Sequence, residues 1–81
     1  MKTCCPRHEI VNRLREAGFV YNRRGDKTEI YRKPGSPPTF VALSLKNNIP
    51  LDAVQIILRQ AGLNTAQVGE FLGACSKTNT H

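Results

Sequence analysis

The run Pro34-Gly35-Ser36-Pro37-Pro38 constrains this chain more than any other feature. Three prolines in five residues remove backbone donors and push the preceding residues out of the helical region. Neither a helix nor a central strand can pass through it, so it must be a loop. A second break, Asn47-Asn48-Ile49-Pro50, and glycines at 18, 25, 62 and 73 divide the rest into short segments.

Each segment carries its own periodicity. After Pro6, which suits a first helical position, residues 7–17 read as a helix. Ile10, Val11, Leu14 and Ala17 form its apolar stripe, and His8, Asn12, Arg15 and Glu16 lie opposite. Gly18 stops it. Residues 19–24 have the aromatic and β-branched content of a strand, Gly25-Asp26 reads as a two-residue hairpin turn, and residues 28–33 return. Ile30 and Tyr31 fall on opposite faces of that second strand. Residues 39–45 form a third strand, apolar enough to be covered on both sides. Residues 51–61, introduced by Pro50, place Ala53, Val54, Ile56, Ile57, Leu58 and Ala61 around more than half a helical wheel, which predicts a buried helix. A short last helix spans residues 65–72. Asn64 caps it with Gln67 in a capping-box position, Leu63 and Val68 make a hydrophobic staple, and Gly73 ends it.

The order is α-β-β-β-α with an added C-terminal helix. It predicts an α+β domain: three antiparallel strands with helices on one face. One domain is expected, with its core in residues 7–73 and frayed ends at 1–5 and 74–81.

Twelve Lys and Arg against six Asp and Glu give a net charge of +6 in 81 residues, which favours a polyanionic partner. No apolar run is long enough to span a bilayer. The opening Met1-Lys2-Thr3-Cys4-Cys5-Pro6 lacks the apolar core of a signal peptide, so a cytoplasmic location is expected. Three cysteines, an odd number, do not suggest a disulfide framework and fit a reducing compartment. Cys4, Cys5, His8 and Cys75 contain the elements of a zinc site. Adjacent cysteines are awkward joint ligands, however, and unpaired thiols without metal or cofactor are expected. Arg24-Gly25-Asp26 spells an adhesion tripeptide but reads as a turn, and Asp52 faces a helix dipole.

Glu9 to Phe19, Ile30 to Pro34 and Ile57 to Leu63, three stretches in order and in register, resemble the HicA toxin family. Residues 9–19, an apolar helix running into Ala17-Gly18-Phe19, are similar to the family's opening helix and first strand. Ile30-Tyr31-Arg32-Lys33-Pro34 is similar to its second strand, and Ile57-Leu58-Arg59-Gln60-Ala61-Gly62-Leu63 to its closing helix. The resemblance covers about residues 7–73. It implies a fold like that of double-stranded-RNA-binding domains, metal-independent cleavage of mRNA, and a HicB-type antitoxin as partner. The family's catalytic histidine is missing. Counting back from Tyr31 puts Thr28 in its place, and counting forward from Gly25 puts Lys27 there. A second family histidine after the third strand is also absent, where the chain reads Leu43-Ser44-Leu45-Lys46.

Histidine suits such cleavage because imidazole exchanges protons near neutral pH. Threonine cannot, and a lysine ammonium steadies phosphate charge but is a poor base. The RNA-binding expectation therefore outlasts the catalytic one, unless His8 substitutes. It rests on Arg23, Arg24, Lys27, Arg32 and Lys33, with Tyr31 and Tyr21 placed for stacking. The competing reading of these charges is a solvated hairpin face. The competing function is a non-catalytic module that occupies an acidic protein partner.

Overall fold

The computed structural model describes residues 4–77. The elements are β1 (Cys4–Pro6), α1 (Arg7–Glu16), β2 (Val20–Arg24), β3 (Thr28–Lys33), β4 (Thr39–Ser44), β5 (Asn48–Pro50), α2 (Leu51–Gln60) and α3 (Thr65–Lys77). Strands β2, β3 and β4 form an antiparallel sheet with β3 central, so the α+β arrangement read from the sequence holds. Principal extents of 40 × 28 × 17 Å fit two layers, with the helices against one face of the sheet.

Burial along β4 shows which face. Val41 and Leu43 are buried, and their neighbours Phe40 and Ala42 are exposed. The third strand is therefore covered on one side, not both. Tyr31, opposite Val41, joins Ile10 and Leu14 of α1, Phe19, and Val54, Ile57 and Leu58 of α2 in a single core. α2 is also less enclosed than its composition suggests. Its buried residues Val54, Ile57 and Leu58 make one stripe, while Ile56 is 60% exposed on the opposite side. A helix lying on an outer layer of so small a domain has only one neighbouring layer to bury against.

A second, two-stranded sheet was not legible as such. β1 pairs with β5 in antiparallel register, Cys5 opposite Ile49, and both residues are buried. This ladder sets the starts of α1 and α2. Pro6 and Pro50 end their strands with extended backbones (φ −62°, ψ 139° and φ −56°, ψ 146°) and act as N-caps, one position earlier than their composition suggested. The Arg7 amide donates to the Asn47 carbonyl at 2.8 Å, joining the start of α1 to the approach to α2. At the other ends, Gly18 and Gly62 take φ of +99° and +94°, left-handed conformations that terminate α1 and α2 as expected.

The start of α3 is the one the spacing predicts. The Gln67 amide donates to Asn64 Oδ1 at 2.8 Å and the Asn64 amide to Gln67 Oε1 at 2.9 Å, a reciprocal capping box. Its end is not. The helix continues through Gly73 to Lys77. Cys75 is buried and joined by a disulfide to Cys5, with Cα atoms 5.5 Å apart, leaving Cys4 as the free cysteine of the described residues. Interior glycine costs a helix about 1 kcal/mol relative to alanine, which docking of Cys75 into the core outweighs. Cys4, Cys5, Ala74 and Cys75 thus belong to the folded unit. Residues 1–3 and 78–81, included in the expectation of frayed ends, lie outside the described residues.

Two stability outcomes follow. Leu58→Ala should cost about 2–5 kcal/mol because the side chain is fully buried. Ile56→Ala, two positions away and exposed, should stay within about 0.5 kcal/mol of wild type in the same urea melts. Reducing the Cys5–Cys75 bond should cost roughly 2–5 kcal/mol, since it closes a loop of sequence separation 70. A melting temperature unchanged after reduction in the unfolded state and refolding, with free thiols titrated to confirm it, would show that packing alone holds α3.

Candidate nucleic-acid interface

The β2–β3 hairpin carries five cations, and its register decides where each one points. Val20 pairs with Arg32 and Tyr21 with Tyr31, but the next pair is Arg23 with Ile30. Asn22 is therefore an extra residue, a bulge that resets the alternation. Directly opposed residues share a face. The bulge accordingly moves Arg23 to the outer face with Ile30, and returns Arg24 to the helix-covered side opposite Glu29. Simple alternation would have grouped Arg23 with Tyr21.

The hairpin connection also differs from the expected two-residue turn. Gly25, Asp26 and Lys27 separate the strands, and the Gly25 amide donates to the Thr28 carbonyl at 2.8 Å. Lys27 lies at this end of the sheet with Asp26, Ser44, Leu45 and Lys46 around a cleft of about 340 Å³. Lys33, at the opposite end of β3, lines a separate cleft with Arg13 and Glu16 of α1. The six residues expected to bind RNA thus do not form one patch. Arg23 and Arg32 share the outer face, Lys27 sits at the turn, and Arg24 and Lys33 lie on the helix side.

Tyr31 departs furthest from expectation. Only 4% exposed, it packs in the core and offers no face for stacking. Tyr21 meets it edge-on, with ring centroids 6.0 Å apart. The Tyr31 hydroxyl donates to Glu29 Oε1 at 3.2 Å, and the same carboxylate oxygen pairs with the Arg7 guanidinium. Arg7 Nε donates in turn to the Ser44 carbonyl at 2.8 Å. One arginine at the start of α1 thereby fastens the helix to both β3 and β4. The sequence signal for this was the charge pair at positions 7 and 29, but nothing local links residues so far apart.

Burial raises the Tyr31 phenol above its ordinary pKa of 10.0, and the adjacent Glu29 charge adds to the effect.

Of the positions aligned with the family histidine, Thr28 opens β3 opposite Ser44 and Lys27 is exposed in the turn. His8 is solvent-exposed on α1, its Nε2 3.4 Å from Glu9 Oε2, and forms no hydrogen bond or ion pair with the hairpin. Among the described residues no three His, Cys, Asp or Glu side chains converge as a metal site would require. No helix among them is long and apolar enough to cross a membrane.

What remains is a set of unneutralised charges. The ion pairs of the described residues involve Arg7, His8 and Arg13, and none involves Arg23, Arg24, Lys27, Arg32 or Lys33. Such cations can exchange their counterions for phosphates without first breaking an ion pair within the protein. No family model and no curated protein matches this chain.

The Tyr31 clip has a pH signature. Because the folded-state pKa is the higher one, the unfolded chain loses this proton first as pH rises. The contribution is therefore intact below pH 10 and declines above it. Wild-type stability should fall above that pH more steeply than that of Tyr31→Phe, in urea melts run across the alkaline range. Parallel curves would mean the phenol titrates alike in both states.

Proposed function

We propose that this chain is a HicA-like RNA-binding protein that has lost ribonuclease activity. The observation that carries the reading is the hairpin's five cations without an acidic partner, on a chain of net charge +6. The α+β layout is compatible with the double-stranded-RNA-binding fold that the resemblance implies. Loss of cleavage follows from chemistry. Neither Thr28 nor Lys27 supplies a near-neutral proton acceptor, and His8 is held on another element. The partner set on this reading is mRNA, a HicB-like antitoxin, or both.

The reading places the protein in the cytoplasm. Cys5 and Cys75 are both buried, which shields their bond from the attacking thiolates that reduce exposed disulfides.

Binding of labelled RNA, followed by anisotropy, should be measurable at low salt and weaken steeply as salt rises. The double change Arg23→Ala and Arg24→Ala should lower the slope of log affinity against log salt by about 0.7–0.9 for each phosphate no longer neutralised. Incubated with RNA in EDTA, the purified protein should leave the RNA intact, and Thr28→His tests whether one imidazole restores cleavage. Robust cleavage by the native chain would overturn the catalytic half of the reading. Absence of binding at low salt would overturn the other half, in favour of a module that occupies an acidic protein.

A further inference from the structure

The outer face of the β2–β3–β4 sheet has no covering element among the described residues, and its composition is not that of an ordinary solvated face. The register gives two cross-strand rows: Val20, Arg32 and Phe40, then Arg23, Ile30 and Ala42. Phe40 is 51% exposed and Val20 55%. A groove of about 740 Å³ opens onto this face, lined by Asn22, Arg23, Ile30, Phe40 and Ala42 and reaching Gln60 at the end of α2. No carboxylate lies on this face. Glu9, Glu16, Asp52 and Glu70 are on helices, Glu29 points to the helix side, and Asp26 is in the turn.

We infer that this open sheet face is a platform for unpaired RNA, with a base stacked on Phe40 and neighbouring phosphates held by Arg23 and Arg32. The inference rests on the RNA-binding reading and moves its centre from the hairpin as a whole to one face. An apolar ring interleaved with unpaired cations matches a strand that alternates flat π surfaces with negative charge. A second copy of the chain fits poorly, because stacking two such faces would oppose arginine to arginine with no acid between them. A continuous duplex fits poorly too, because its bases are stacked on one another and present no free face to Phe40. Tyr31 and Tyr21, the aromatics that sequence alone offered for stacking, are replaced here by Phe40 on β4.

The chain contains no tryptophan, so Phe40→Trp introduces a single indole as reporter. Single-stranded oligouridylate should quench its emission, and duplex RNA of equal length and polyglutamate should not. Phe40→Ala should weaken binding of the single strand about tenfold, the effect of losing one stacked base, with its melting temperature close to wild type. Binding unchanged in Phe40→Ala together with an unquenched indole would overturn the platform and leave RNA binding by other cations standing. No binding by wild type at low salt would remove both readings. Equal quenching by polyglutamate would reassign the face to an acidic protein. Sedimentation as a dimer with the indole already shielded would reassign it to self-association.

Discussion

One-sided burial governs this molecule. A chain of 81 residues buries only about 60% of its unfolded surface, and here that capacity is used on a single interface between sheet and helices. Tyr31, Val41 and Leu43 supply the sheet's share, and α1, α2 and α3 supply most of the rest, together with Phe19 and the β1–β5 pair Cys5 and Ile49. No apolar segment of the described residues is left over to cover the far side of the sheet. The exposure of Phe40, Val20 and Ala42 is thus a consequence of size, and it leaves the outer face available for whatever the side chains there can bind.

Because the core is thin, its connections matter more than its area. The β1–β5 ladder fixes both helix starts at proline caps, and the Cys5–Cys75 bond ties the last helix to the first strand. Arg7 then joins α1 to two strands through Glu29 and the Ser44 carbonyl. Each of these links spans much of the chain. They act on the entropy of the unfolded state and on the orientation of the layers rather than adding hydrophobic area.

Local chemistry explains what could be read in advance. Asn64 and Gln67 are three apart, and glycine after an apolar stripe has a single common use, so the α3 start and the α1 and α2 ends were legible. β3 was legible to the residue, because its β-branched and aromatic content ends at the Pro34 break, although the turn before it is one residue longer than expected. The features that escaped are set at a distance. Whether residue 5 meets residue 75, or a three-residue strand finds another, is decided by the finished packing. The Asn22 bulge escaped for a subtler reason. Nothing in its composition marks it, yet it reverses the facing of every hairpin residue before it relative to those after. The candidate binding residues were drawn from one hairpin, but their division between faces, and the burial of Tyr31, depended on that single insertion and on which face the helices cover.

Partition of charge gives the outer face its electrostatic character. Four carboxylates sit on the helices and a fifth, Glu29, is already engaged by Arg7 and Tyr31. Packed layers are separated by about 10 Å, close to the screening length at 0.1 M salt. The attraction of a ligand on the far side of the sheet is therefore opposed by the helix-side acids only from a distance, through partial screening. Arg23 and Arg32 are the nearest charges to such a ligand and dominate the field there, although they are only two of the twelve cations. The same screening makes their attraction strongly dependent on salt. On the proposed platform an uncharged contact at Phe40 is insensitive to such screening, so stacking on the ring would contribute to the affinity that persists when the cations are screened.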